Sequence, residues 1–179
     1  MDQVATPSSA DAAQLSAANL QAGEARRGAA APNQLISFAI GDDQYGVDIM
    51  AVREIKGWTA ITHLPKQPDY VRGVLNLRGV VMPIIDLRCR FGQGLTETTP
   101  LHIVIIVQIG DRQVGLIGDR VLDIVSVDTA QIQPVPRIAQ ANRVNFLSGL
   151  VTIDGAMIAL IDLTNLLSMQ IDEQETVAH

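Results

Sequence analysis

Ile40-Gly41-Asp42-Asp43-Gln44-Tyr45-Gly46 returns later in the chain as Ile109-Gly110-Asp111-Arg112-Gln113-Val114-Gly115, and this repetition decides the fold. In each copy a Gly-Asp pair separates two short apolar runs rich in β-forming residues, at 35–40 and 44–49 and again at 102–109 and 113–117. Such a pair between two runs of that length predicts a hairpin. Each copy then continues at matched spacing, to Val52 and Ile55 in the first and to Val121 and Ile124 in the second.

A second echo follows in the same order. Gly73-Val74-Leu75-Asn76-Leu77-Arg78-Gly79 leads to Pro83-Ile84-Ile85-Asp86-Leu87, and Gly149-Leu150-Val151-Thr152-Ile153-Asp154-Gly155 leads to Ala159-Leu160-Ile161-Asp162-Leu163. Two further hairpins are predicted, at 73–77 with 80–85 and at 149–153 with 156–161. Short strands joined by Gly/Asp turns give an all-β fold of two small five-stranded β-barrels of the SH3 or OB kind, one per copy, with short helical turns. A barrel of about 65 residues is near the lower limit for a self-sufficient core, so the two are expected to share one apolar core. Residues 1–33, rich in Ala, Gln, Ser and Asn, read as a disordered tail. Residues 34–168 form the repeated domain, and 169–179 a flexible C-terminal tail.

The 179 residues are 47% hydrophobic and 18% charged, which is enough apolar material for a core. The longest apolar run, 103–107, is far short of the roughly 20 residues that span a bilayer, so no membrane insertion is expected. No basic region followed by an apolar stretch opens the chain, and a cytoplasmic location is expected. Cys89 stands alone and can form no internal disulfide. The net charge of −6 and an aromatic content of 3% argue against nucleic acid. The charge is uneven: Arg53, Lys56, Lys66, Arg72, Arg78, Arg88 and Arg90 crowd into 53–90, where Glu54, Asp69 and Asp86 are the only acids. That segment is either a solvated polar face or a surface for an acidic protein partner.

Chemistry finds no foothold. His63, His102 and His179 have no metal-ligand spacing, Ser148 lacks a nucleophile elbow, and Gly92-Gln93-Gly94 lacks the rest of a nucleotide loop. No catalytic residue, metal or cofactor is assigned, and the chain is expected not to be an enzyme. Asp86 and Asp162 recur at equivalent places and are read as caps of short helical turns.

Residues that differ between the copies are the better place to look for function. Asp154-Gly155 is a natural turn pair, whereas Arg78 gains nothing locally at a position that would demand positive φ. Arg78 is therefore either in a different turn, or kept at a conformational cost for contact with a partner, or bridged internally to Asp69 or Asp86. Trp58 is either an interface anchor or core. Pro83 cannot donate to a ladder and marks an edge or a bulge.

Tyr45-Gly46-Val47-Asp48-Ile49, Val52-Arg53-Glu54-Ile55-Lys56-Gly57-Trp58, Arg72-Gly73-Val74-Leu75-Asn76-Leu77-Arg78-Gly79, Pro83-Ile84-Ile85-Asp86-Leu87-Arg88 and Phe91, in this order, resemble the CheW-type chemotaxis coupling proteins. The resemblance covers about residues 34–168. It implies an adaptor without catalysis that bridges the cytoplasmic tips of methyl-accepting chemoreceptors to the regulatory domain of the histidine kinase CheA, recruited to membrane-associated receptor arrays. It further implies receptor binding through Val52, Gly73 and Arg78, and kinase binding through Ile49 and Glu54. Gly118-Asp119-Arg120-Val121 departs from the Val-Asp-Gly-Val usual in that family.

Overall fold

A computed structural model describes residues 33–136 and 146–167. The tails expected at 1–33 and 169–179 lie outside the described residues, apart from Asn33, which opens the first strand. The elements run β1 (Asn33–Ile40), β2 (Asp43–Asp48), a 3-10 turn (Ile49–Ala51), β3 (Val52–Gly57), β4 (Val71–Leu77), β5 (Val80–Asp86) and α1 (Leu87–Arg90). They continue through β6 (Ile103–Ile109), β7 (Arg112–Gly118), β8 (Arg120–Val127), a 3-10 turn (Thr129–Gln131), β9 (Leu147–Ile153) and β10 (Ala156–Ile161). The four hairpins expected from the Gly-containing turns are β1–β2, β4–β5, β6–β7 and β9–β10.

The strands pair into two five-stranded sheets, β8-β1-β2-β10-β9 and β3-β6-β7-β5-β4. This corrects one expectation, that each copy forms its own barrel. The first sheet takes β1 and β2 from the first copy and three strands from the second, and the second sheet does the reverse. The exchange happens at two crossovers, β2 to β3 and β7 to β8, where three residues and one residue carry the chain from one sheet to the other. Nor do the sheets close into barrels by strand pairing: β8, β9, β3 and β4 are edges. Within each sheet one pair is parallel, β10 with β2 and β5 with β7, and both parallel ladders are short.

Burial follows the two-residue period of the strands. Ile105 and Val107 of β6 face one core that also holds Phe38, Ile40 and Val47 of the other sheet with Leu87 and Phe91. Val104 and Ile106, pointing the opposite way, join Leu75, Met82, Ile84 and Ile117 in a cluster private to the second sheet. Leu35, Val127, Val151, Ile158 and Leu160 form the private cluster of the first. A strand apolar on both faces reads as a continuous run, which is why 103–107 looked so hydrophobic. Tyr45 and Phe91 stack at 4.9 Å between ring centres across the shared core. Because that core takes side chains from both sheets, neither subdomain buries its apolar face alone.

Candidate functional site

The β4–β5 hairpin turns on Arg78 and Gly79 at φ 52° and 86°, and its counterpart on Asp154 and Gly155 at 51° and 79°. Both central residues of both turns have positive φ, the mark of a type I′ hairpin. The turn type is therefore the same in the two copies, and arginine is held in a conformation that asparagine, aspartate or glycine would adopt with less strain. Asn76 closes the first turn by accepting the Gly79 N–H at 3.0 Å.

Arg78 bridges neither Asp69 nor Asp86. Its guanidinium donates to the Glu54 carboxylate at 3.1 Å while its side chain stays 76% exposed. Glu54 lies on edge strand β3, so two of the residues singled out from sequence meet here. Arg53, at a register irregularity of the same strand, donates from Nε to Gln108 Oε1 at 2.9 Å. Val52 and Ile49 are half-buried and pack against the shared core at the β2–β3 crossover. Gly73 stands apart from this cluster. It is buried at φ 150°, and a Cβ built there would collide with the carbonyl oxygen of Thr62. The backbones of Thr62 and Val74 exchange hydrogen bonds at 2.9 and 2.8 Å, and those of Gln133 and Leu150 repeat the arrangement beside Gly149. Trp58 packs, half-buried, against the second sheet's private cluster.

The recurring aspartates divide in environment. Asp86 is fully buried. It accepts from Thr96 N at 2.7 Å, Thr96 Oγ1 at 2.6 Å and Cys89 N at 3.3 Å, and pairs with Arg72 at 2.9 Å. Asp162 caps its helical turn, accepting from Asn165 N at 3.1 Å and Asn165 Nδ2 at 2.9 Å. The cap expected at both positions is present, and the first copy adds a buried ion pair that binds the segment after α1 to the sheet. Desolvation, with the Asp86 and Asp69 carboxylates, pushes the nearby Cys89 thiol up from its ordinary value.

Asp119, the single residue between β7 and β8, was not singled out as a site. Its carboxylate accepts from Gly41 N at 2.7 Å and Arg88 at 2.9 Å and faces His102 Nε2 at 3.3 Å, while its own N–H donates to Ala39 O. Gly118 lies beside it, where a Cβ would press on Phe38 at 3.1 Å.

Sequence reasoning also missed strands β3 and β8. Charged residues interrupt their apolar pattern, and as edges they bury little. On β8, Val121, Leu122 and Ile124 are exposed apolar residues. Beyond the short parallel ladders the hairpins splay. One cleft of about 450 Å³ opens among Val80, Val81, Pro83, Arg112 and Gln113, and one of about 520 Å³ among Asp43, Gln44, Met157 and Ala159. Pro83 sits where β5 has no ladder partner on the β7 side, so the incomplete side of the sheet is real although β5 itself is an interior strand. Among the described residues no cluster of His, Cys, Asp and Glu has the geometry of a metal site, and no helix is long and apolar enough to cross a membrane.

Comparison with known proteins converges on one group. The CheW-like domain family matches residues 34–170. The chain is 47% identical over 130 residues to the chemotaxis protein CheW of Rhizobium meliloti, covering 73% of this chain and 84% of that one. It is 38% identical over 137 residues to CheW of Klebsiella aerogenes, covering 76% and 82%. The crystal structure of the scaffolding protein TtCheW from Thermoanaerobacter tengcongensis superposes with a TM-score of 0.68 at 34% identity, over 74% of this chain and 85% of that chain.

Proposed function

Because the chain belongs to the CheW-like family, we propose that it is a non-catalytic adaptor coupling the cytoplasmic tips of chemoreceptors to the histidine kinase CheA in cytoplasmic signalling arrays. The observation that carries the reading is Arg78, an arginine kept at positive φ on an exposed hairpin tip where the second copy has aspartate. A planar guanidinium in that position suits carboxylates or backbone carbonyls of a partner. Val52 and Arg78 supply the receptor-facing side. Ile49 and Glu54 supply the kinase-facing side, and Gly73 acts by seating the backbone behind β4.

The protein works by geometry: one face holds a receptor helical bundle, another the kinase's regulatory domain, and kinase output follows how they are held. Signalling contacts of this kind bury modest area, so each interface is weak alone and gains from multivalent assembly. The test is reconstitution of the purified chain with a soluble receptor tip and the kinase. A ternary complex whose autophosphorylation exceeds that of the kinase alone is expected, and no association with either partner at array-like concentrations refutes the reading.

A further inference from the structure

The two crossovers between the sheets are equivalent in the repeat and opposite in character. Val52 aligns with Val121 and Ile55 with Ile124, which sets Met50 against Asp119. Asp119 is tied inward to Gly41, Arg88 and His102. Met50 is 80% exposed.

The methionine is presented by a rigid seat. Asp48 caps the 3-10 turn by accepting the Met50 N–H at 2.9 Å, and the Val52 N–H closes it on the Ile49 carbonyl. Ile49, Ala51 and Val52 anchor the turn on the shared core, leaving Met50 to project from it. Scattered exposed hydrophobic residues need no explanation. A site that the other copy fills with a clamped carboxylate, and that here lifts an apolar side chain off a capped turn, is a different matter. The thioether chain is unbranched and polarizable and fills irregular apolar sockets. The charges close by in sequence are Asp48, which caps the turn, and Arg53, Glu54 and Lys56 of β3; Glu54 is paired with Arg78 of the β4–β5 tip, whereas the hydrogen bond of Arg53 goes to a neutral amide.

We propose that Met50 is a docking knob that enters an apolar socket with a carboxylate rim on the helical receptor tip, next to the contacts made by Val52 and Arg78. This rests on the adaptor reading and adds a contact residue to it. The test measures binding of the full chain to a soluble receptor tip and, separately, to the kinase regulatory domain. The variants are Met50→Glu and Met50→Leu, with Leu101→Glu as an exposed apolar control on another loop. Met50→Glu should weaken receptor binding by about tenfold or more, as loss of an anchor side chain does. Met50→Leu should stay within about threefold of wild type and Leu101→Glu should be silent, with kinase binding and thermal midpoint unchanged in all three. Wild-type affinity of Met50→Glu for the receptor tip, or a loss confined to the kinase, overturns the proposal. If Arg78→Asp abolishes receptor binding while Met50→Glu does not, the adaptor reading stands and the knob alone fails. If the wild-type chain binds no receptor tip, both fail.

Discussion

The Arg78 guanidinium lies 3.1 Å from the Glu54 carboxylate, so the β4–β5 hairpin tip is tied to edge strand β3 by an ion pair open to solvent. An exposed pair of this kind contributes under about 1 kcal/mol, because water screens it and two long side chains must be ordered to form it. A bridge of that size does little to offset the strain at the tip, and the adaptor reading proposes partner contact as the reason to keep arginine there. Arg78→Asp should lower receptor-tip affinity by about tenfold or more while shifting the thermal midpoint by no more than a few degrees. A double-mutant cycle with Glu54→Ala, read out as receptor binding, separates the two roles. Near-additive losses mean that Arg78 acts on the partner directly, and a double variant no worse than Glu54→Ala alone means that Arg78 acts only by holding Glu54.

Gly73 behaves differently from its neighbours on the proposed receptor side. With φ at 150° and the Thr62 carbonyl where a Cβ would sit, any side chain forces β4 away from the 58–70 segment. Gly73→Ala should cost about 2 kcal/mol or more, combining backbone strain with overpacking. Gly149→Ala should destabilise by overpacking alone, because its backbone is unstrained but a Cβ there meets the Ile132 side chain at 2.6 Å and the Gln133 carbonyl at 3.0 Å. A receptor-binding defect in Gly73→Asp at full thermal stability would restore Gly73 as a direct contact.

Much of this was legible in the sequence because turns announce themselves. Gly41, Gly79, Gly110 and Gly155 all take positive φ, and the four hairpins follow from them. Strand exchange between the copies was not legible, because a repeat fixes the order of elements and not which sheet each joins. That depends on crossovers as short as the one residue at Asp119. Edge strands were lost for a related reason: Val52–Gly57 alternates half-buried with exposed residues and carries Arg53, Glu54 and Lys56, so no clean apolar face appears. Arg78 stood out because its counterpart is aspartate. The same comparison extended two residues upstream of Val52 would have found Met50.

Cys89 offers a check on the buried side of α1. Desolvation, followed by the carboxylates of Asp86 and Asp69, holds its thiol neutral to higher pH than the ordinary value of 9.0. Alkylation by iodoacetamide at pH 8 should run at least about threefold slower than for an unstructured cysteine peptide, since the thiolate is the reactive species. A raised pKa in the folded state also fixes the sign of the linkage. Its contribution to stability is complete below the unfolded value and declines as pH rises above about 9 through the folded value. A thiol that reacts as fast as the peptide would place Cys89 outside this environment.

The Asp119 carboxylate should matter more than its partial exposure suggests, because it serves both sheets at once. Gly41 N belongs to the β1–β2 turn, Arg88 to the helix after β5, and His102 to the approach to β6. His102 Nδ1 accepts the Thr99 N–H at 2.9 Å, so the ring's remaining proton sits on Nε2 and points at Asp119. Removing the carboxylate strips a charged donor, a backbone N–H and an imidazole N–H of one shared acceptor. Asp119→Ala should cost about 2–3 kcal/mol, the range for leaving hydrogen-bonding groups unmatched. Asp119→Asn keeps an oxygen for the Gly41 N–H, loses the charge, and should fall between that variant and wild type. Urea midpoints order the three proteins, and the exchange rate of the Gly41 amide reports whether its bond survives. If Asp119→Ala unfolds at the wild-type midpoint with Gly41 still protected, the crossover is held by packing of Gly118 against Phe38 and not by the carboxylate.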